Sequence, residues 1–223
     1  MLTDRMQRRL LRHHLALFAL SGTLVLMMAL LIRSEHWPFR LSMATAYVGL
    51  MLLGATLLIG PIRVLRGRAA PIASNDLRRD IGIWASIVSL AHVAVGLQVH
   101  LNSMLLYFFR EVGPDKHLAL RYDLFGLANY IGLVATLVVA LLLALSNDWS
   151  LRRLGARKWK SLQRWNYAGF VFIALHGAIY QVIEKRTLPY PIVFIATLAL
   201  VGALQWSAFR SRRLQLRDTL PRR

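Results

Sequence analysis

The chain has 223 residues, of which 57% are hydrophobic and only 17% are charged, and its mean hydropathy is +0.48. This composition is typical of an integral membrane protein and argues against an ordinary soluble domain. The absence of cysteine excludes disulfides, iron–sulfur clusters and cysteine nucleophiles. The formal net charge of +18 comes from basic residues between apolar runs, so we attribute it to membrane topology and lipid headgroups, and not to nucleic acid.

Six apolar runs approach the length of about 20 residues that a membrane-spanning helix needs. They cover His14–Ile32, Leu41–Ile62, Ile81–Leu101, Leu124–Ser146, Trp165–Ile183 and Tyr190–Phe209. We expect the second helix to stop at Pro61 and the connection after the third run, which contains Gly113 and Pro114, to be a loop. Residues 1–223 are predicted to form a single transmembrane domain, with basic tails at 1–13 and 210–223.

The basic residues are distributed asymmetrically between the two sides of this predicted domain. The N-terminus, the second and fourth connections and the C-terminus hold 21 of the 28 Lys and Arg residues, and the other three connections hold 7. The positive-inside rule then places both termini in the cytoplasm, and six crossings are consistent with termini on the same side. The predicted fold is an all-α bundle of six transmembrane helices.

Two histidines, His92 and His176, lie deep in the third and fifth runs. Each stands 12 residues beyond the last charge at the cytoplasmic end of its run, Asp80 and Arg164 respectively. At a rise of 1.5 Å per residue, both lie about 18 Å into the membrane. Imidazoles at one depth on parallel helices could supply both axial bonds to one iron porphyrin, an arrangement that suits electron transfer. Interhelical hydrogen bonding or a proton relay are alternative roles for such histidines.

The other histidines are weaker candidates. His100 follows His92 by eight residues, so it could meet a porphyrin propionate, ligate a second cofactor with His117, or be a polar residue at the interface. His13 and His14 stand among arginines, and we expect them at the headgroups. A stacked second heme would need further histidines about 13 residues away, roughly 20 Å along each helix. Those positions hold Arg79, Leu105, Gln163 and Pro189, which predicts one heme.

Several stretches around the two histidines resemble a known family. The matching residues are Leu58–Pro61, Arg78–Trp84 with His92, and Leu154, Gly155, Trp159, Leu162 and Tyr167 leading to His176. They are similar to motifs of the ferric-reductase-like transmembrane superfamily, and in it most to the heme-binding membrane subunit of the bacterial methionine sulfoxide reductase system. The resemblance covers roughly residues 41–200.

The resemblance implies a b-type cytochrome of the bacterial inner membrane, with His92 and His176 as the axial ligands of heme iron. Electrons would pass from a separate cytoplasmic flavin reductase, or from quinol, to a periplasmic redox protein or to ferric iron. Where the family often has a further histidine, this chain has Gln163. Basic residues on the cytoplasmic side are candidate contacts for propionates, the phosphate of FMN or a donor protein, although inner-side charge alone also explains them; they are Arg78, Arg79, Lys158, Lys160 and Arg164.

Two alternative functions remain open from the sequence. One is a heme-free scaffold or assembly subunit that keeps this fold. The other is a proton-coupled transporter that uses histidines as relays, which would need buried carboxylates, and we expect none of the ten acidic residues well inside a helix. Motifs of hydrolases and of phosphate-binding loops are absent from the sequence. We therefore expect the electron-transfer subunit of an oxidoreductase.

Overall fold

The structure, a computed structural model, describes residues 10–67, 72–100 and 103–218. These residues form mostly α-helix. The helices are α1 (Leu15–Leu31), α2 (Trp37–Leu65), α3 (Ile72–Gly96), α4 (Leu124–Leu145), α5 (Asp148–Gln163), α6 (Trp165–Ile183) and α7 (Tyr190–Asp218). A π-helical turn, Leu10–His14, leads into α1.

Five helical segments of the described chain are long and apolar enough to cross a membrane. They are Leu11–Leu31, Trp37–Leu65, Leu124–Leu145, Asp148–Ile183 and Tyr190–Gln215. The predicted third crossing corresponds to α3, which is not among them, because its first turns carry four charged residues and its apolar part runs only from Ile81 to Gly96. The chain is a multi-pass membrane protein by these helices, and the count of six crossings stays a prediction.

Four helices form a ring around the centre of the molecule. α2 packs against α3, α3 against α4, α4 against α6, and α6 returns to α2. α1 and α7 lie outside this ring, where both pack on α2. The buried core follows α2, with Ala44, Tyr47 and Val48 almost inaccessible. Large apolar side chains are exposed along α1 and α7, as expected of helices that face lipid.

The prediction that α2 stops at Pro61 is wrong, because the helix continues through Pro61 to Leu65. A proline lacks the N–H that would bond to the carbonyl four residues earlier, which here belongs to Leu57. The side chain of Gln205 on α7 donates to this carbonyl over 2.9 Å from its Nε2. The polar group that Pro61 leaves free is thereby satisfied, so the helix need not end.

The connection between α3 and α4 contains a small β-hairpin in place of the predicted loop. Strands β1 (Phe109–Val112) and β2 (His117–Leu120) pair antiparallel, with Val112 opposite His117. Gly113 adopts φ +76° in the turn between them, a conformation that glycine reaches without strain. The Tyr130 hydroxyl of α4 donates to the Phe108 carbonyl over 2.5 Å, which holds the hairpin against the bundle. Over the residues that the structure describes, the fold is therefore helical with one hairpin.

Two further boundaries differ from the predicted ones. The fourth connection forms the helix α5, whose start is capped where the Asn147 Oδ1 accepts from the Ser150 N–H over 2.8 Å. α7 continues to Asp218, so the whole described part of the predicted C-terminal tail is helical. The described residues before His14 also belong to a helical turn.

A buried carboxylate joins the start of α1 to α3. Asp80 is fully inaccessible; its Oδ2 lies 2.7 Å from Nδ1 of His13 and its Oδ1 lies 3.4 Å from Nε2 of His14. The Trp84 Nε1–H donates to the other nitrogen of His14 over 3.3 Å. The expectation of no acidic residue well inside a helix is therefore wrong here, whereas the placement of His13 and His14 at the headgroups stays a prediction. Asp80 takes the histidines as partners because a buried carboxylate must be paired.

Candidate cofactor site

His92 on α3 and His176 on α6 face each other across the interior of the helix ring. Their ring centres lie 6.3 Å apart and their planes are inclined by 74°. An imidazole nitrogen binds a metal at about 2.0–2.1 Å, so two imidazoles on opposite sides of one ion have ring centres roughly 6 Å apart. The observed separation matches that requirement.

A main-chain carbonyl on a neighbouring helix orients each imidazole. The Nδ1 of His92 lies 3.0 Å from the Ser42 carbonyl on α2, and the Nδ1 of His176 lies 2.8 Å from the Ala128 carbonyl on α4. A carbonyl can only accept, so the proton of each neutral ring sits on Nδ1 and the lone pair on Nε2 is available. Metal-ligating histidines usually have this second hydrogen bond, which fixes the tautomer and the ring orientation.

The two histidine-bearing helices run in the same direction, as the sequence predicts. His100 follows His92 by eight residues and Glu184 follows His176 by eight. The Nε2 of His100 lies 3.1 Å from a carboxylate oxygen of Glu184, so the second pair meets at the same offset as the first. Equal offsets are possible only between parallel segments. The histidine pair therefore lies at one level of the bundle.

A cavity of about 270 Å³ includes both imidazoles and extends to His100, Glu184 and Arg186. The wall near the imidazoles is mostly apolar or small, with Leu50, Leu133, Val139, Ile173 and Phe194 among its residues. α3, which carries His92, packs mainly on α2, and α6, which carries His176, packs mainly on α4. The cavity lies between α3 and α6. Such a setting suits a flat apolar group.

The chemistry of the donor set also fits a porphyrin better than a bare metal ion. Among the described residues, no group of three or more His, Asp or Glu side chains is placed to hold a metal. Two imidazoles leave most coordination positions of a transition metal to other ligands. A porphyrin supplies four nitrogens in a plane and leaves two axial positions, which the two Nε2 atoms can fill.

The far end of the cavity carries a polar cluster, which we call the mouth cluster: His100, Glu184 and Arg186. The Nε and Nη2 of Arg186 both donate to Oε2 of Glu184 over 2.8 Å, and His100 is bonded to the other carboxylate oxygen. Burial alone would raise the pKa of Glu184, but the hydrogen bond from His100 and the charge of Arg186 hold that pKa below its usual value. Glu184 is therefore ionised at neutral pH.

Tyr180 connects the histidine pair with the mouth cluster. Its ring centre lies 4.9 Å from that of His176 and 6.1 Å from that of His100, nearly parallel to the latter. Its hydroxyl donates to Asn129 Oδ1 over 3.0 Å. His100 thus lies in the same cavity as the histidine pair, whereas His117 is exposed on the hairpin, beside Gly113.

The basic candidates on the predicted cytoplasmic side lie outside this cavity. Arg79 donates from Nε and Nη2 to the Ser146 carbonyl over 3.1 and 3.0 Å, and from Nη1 to Asp148 over 2.6 Å. It therefore ties α3 to the turn between α4 and α5. Arg164 is exposed at the end of α5, near Arg157 and Lys160. A role of Arg79 or Arg164 in holding a cofactor stays a prediction.

Sequence reasoning missed three residues that set the geometry of the site. The carbonyls of Ser42 and Ala128 orient the imidazoles, and a main-chain acceptor leaves no signal in the residue type. Gly132 on α4 lies against the imidazole of His176: a Cβ there would be 2.7 Å from Nδ1 and 2.9 Å from Cε1. The glycine in an apolar run was a detectable signal, since it indicates close approach of another group.

Comparison with known proteins gives relatives that are similar over most of the chain. No protein-family model matches it. The relatives include the protein-methionine-sulfoxide reductase heme-binding subunits MsrQ of Yersinia pseudotuberculosis serotype O:1b (strain IP 31758) and Yersinia pestis (strain Pestoides F). Each is 27% identical over 176 residues, which cover 78% of this chain and 77% and 76% of the relatives.

The chain is similar to MsrQ. The relationship is a distant one at this identity, and it agrees with the resemblance that the motifs around His92 and His176 predict. The names of the MsrQ relatives describe subunits that bind heme and belong to a sulfoxide reductase. Membership of the wider ferric-reductase-like superfamily stays a prediction.

Proposed function

We propose that this protein is a b-type cytochrome subunit that carries electrons across a bacterial inner membrane. The observation that carries the proposal is the geometry of His92 and His176, which face each other at 6.3 Å across an apolar cavity. The hydrogen bonds of both Nδ1 atoms to carbonyls leave both Nε2 atoms free to ligate. The similarity to heme-binding MsrQ subunits supports the same cofactor.

In this proposal the Nε2 atoms of His92 and His176 would hold the iron of a single heme b. The bound heme iron supplies a one-electron carrier with no open coordination position, which favours electron transfer over oxygen activation. The Ser42 and Ala128 carbonyls would hold the imidazoles in position for such a group, and the mostly apolar wall would receive its apolar faces. A rigid surrounding of this kind lowers the structural change that accompanies electron transfer.

The proposed partners lie on both sides of the membrane. The positive-inside rule would place both termini in the cytoplasm, where a separate flavin reductase supplies electrons through FMN; quinol in the membrane is the alternative donor. The acceptor on the outer side is a periplasmic redox protein, for which the subunit names of the MsrQ relatives give support, or ferric iron. The activity would then be that of one subunit of an oxidoreductase.

Purified protein tests the proposal first by its absorbance. We expect one heme per chain and, on reduction, the α-band of a six-coordinate b-type cytochrome. A preparation with no heme, from cells that load another b-type cytochrome under the same conditions, would contradict the proposal and favour the scaffold alternative.

Transmembrane electron transfer is the second test. The protein is reconstituted in sealed vesicles that contain a reductant, and a membrane-impermeant ferric complex is added outside. We expect the complex to be reduced by heme-loaded vesicles and not by vesicles with heme-free protein. Proton flux with no electron transfer would instead favour the transporter alternative.

A further inference from the structure

The cavity has two chemically different ends. Around the imidazoles the wall is apolar or small, whereas the mouth cluster of His100, Glu184 and Arg186 lines the other end. The mouth also reaches water at His100, which is exposed, whereas His92 and His176 are both partly buried. A ligand that is apolar on one edge and charged on the other would have only one favourable orientation in such a cavity.

We propose that Arg186 forms a carboxylate-binding site that holds the propionate edge of the heme at the mouth of the cavity. This inference rests on the proposed function, because it assigns an orientation to the same cofactor. A heme carries two ionisable carboxyl groups on one edge, and burying an ionised carboxylate against the apolar wall would be costly unless it were paired. The mouth cluster offers the pairing groups within the cavity.

Arg186 has donors left for this role. A guanidinium has five N–H groups in a planar fork, and the contacts with Glu184 use the Nε and Nη2 atoms. The Nη1 side of the fork can therefore accommodate a carboxylate, which arginine binds well through two parallel hydrogen bonds. Because Arg186 lines the cavity, such a partner would lie inside it.

Glu184 acts as the positioning residue of the mouth cluster. One of its carboxylate oxygens accepts from Arg186 and the other from His100, so the guanidinium of Arg186 is fixed before any ligand arrives. Its negative charge also balances Arg186, which limits the attraction for a carboxylate. Neutral substitutions of Arg186 and of Glu184 should therefore change the affinity for a carboxylate in opposite directions. Loss of the Arg186 charge leaves the Glu184 charge unbalanced and weakens binding, whereas loss of the Glu184 charge leaves the Arg186 charge unbalanced and strengthens binding.

Binding of heme and of heme dimethyl ester, whose carboxylates are neutral, tests the site directly. Full-length protein made without heme is titrated with each compound, and the absorbance change gives the two dissociation constants. For the unmodified protein we expect heme to bind about tenfold or more tightly than the ester, a ratio typical of one charge-assisted hydrogen bond. For Arg186→Gln the ratio should fall to about one or below, and for Glu184→Gln it should rise.

Arg110→Gln is the matched control, because Arg110 is an exposed arginine of β1 that does not line the cavity. It should keep the ratio of the unmodified protein. Arg186→Lys keeps the charge without the fork and should give an intermediate ratio, which also covers the case in which Arg186→Gln fails to fold. Equal binding of heme and ester by the unmodified protein would overturn the carboxylate site and leave the heme proposal intact. Binding of neither compound would instead contradict the proposed function.

The midpoint potential of the loaded protein is an independent readout. Reduction removes one positive charge from the site, so a more positive surrounding raises the potential and a more negative one lowers it. We expect Glu184→Gln to raise the potential and Arg186→Gln to lower it, with Arg110→Gln close to the unmodified protein. Shifts of the same sign in the first two variants would contradict the assigned roles.

Discussion

Two pairs of histidines in this molecule have opposite surroundings. His92 and His176 donate from Nδ1 to carbonyls and face an apolar cavity, whereas His13 and His14 contact the buried carboxylate of Asp80. A carbonyl orients an imidazole and leaves the second nitrogen free for a ligand. A carboxylate that contacts two imidazoles ties two helical segments together. The partner of each ring, more than its depth, separates a cofactor site from a structural contact.

Among substitutions that disturb the pair of His92 and His176 without replacing either histidine, we expect Gly132→Ala to have the largest effect. A Cβ at this position would lie 2.7 Å from the Nδ1 of His176, so the ring must move and its bond to the Ala128 carbonyl must weaken. We expect heme affinity to fall about 10–100-fold, as it does when a group that orients a metal ligand is lost. Heme per chain, measured by absorbance after purification, checks this.

Gly202→Ala is the control, since a Cβ at Gly202 meets no atom within 4 Å. It should retain the heme content of the unmodified protein. Full heme in Gly132→Ala as well would mean that the position of the His176 ring does not control binding.

Asp80→Asn breaks the second pair and should leave the first unchanged. The amide keeps the shape of the carboxylate but loses its charge, so the contacts with His13 and His14 weaken inside the protein. We expect a loss of about 1–3 kcal/mol in the free energy of unfolding, seen as a lower melting temperature in detergent, with heme per chain unchanged. If heme were lost while the melting temperature stayed the same, the two pairs would not be separate in function.

Trp84→Phe should have a smaller effect on the same contact. The substitution keeps an aromatic ring next to Phe18, whose ring centre lies 5.6 Å from that of Trp84, but it removes the N–H donated to His14. We expect a loss of about 1 kcal/mol in the free energy of unfolding. Thermal unfolding measured beside Asp80→Asn checks the order, and an effect larger than that of Asp80→Asn would contradict it.

The smallest effect is expected for Ser42→Ala. The hydroxyl oxygen of Ser42 lies 3.4 Å from the Nδ1 of His92, whereas its carbonyl lies at 3.0 Å. Because the main chain is the closer acceptor and survives the substitution, heme content and midpoint potential should stay close to those of the unmodified protein. A loss of heme comparable to that of Gly132→Ala would show that the side chain orients His92.

The sequence predicted the parts of this molecule that depend on spacing and composition. Equal distances of His92 and His176 from inner-side charges predicted neighbouring imidazoles on parallel helices, and the equal offset of His100 and Glu184 agrees with this direction. Hydropathy predicted the long apolar helices. These features are local in the chain or follow from the direction of crossing, so a single sequence contains them.

Features that depend on contacts between distant segments could not be predicted in the same way. Pro61 alone indicates the end of a helix, and only the partner Gln205, far along the chain, explains why α2 continues. Asp80 reads as a boundary charge until the start of α1 folds over it. The hairpin between α3 and α4 is short and depends on the Tyr130 contact with Phe108, so a Gly-Pro turn signal predicted only a loop.

Heme content and spin state of single-histidine variants test the central claim most directly. The unmodified protein should contain one six-coordinate, low-spin heme per chain. His92→Ala and His176→Ala should each lose the heme or retain it in a five-coordinate, high-spin form, whereas His100→Ala should largely retain the heme and exposed His117→Ala should match the unmodified protein. A full complement of low-spin heme in either His92→Ala or His176→Ala would contradict the assignment of these two imidazoles as its ligands.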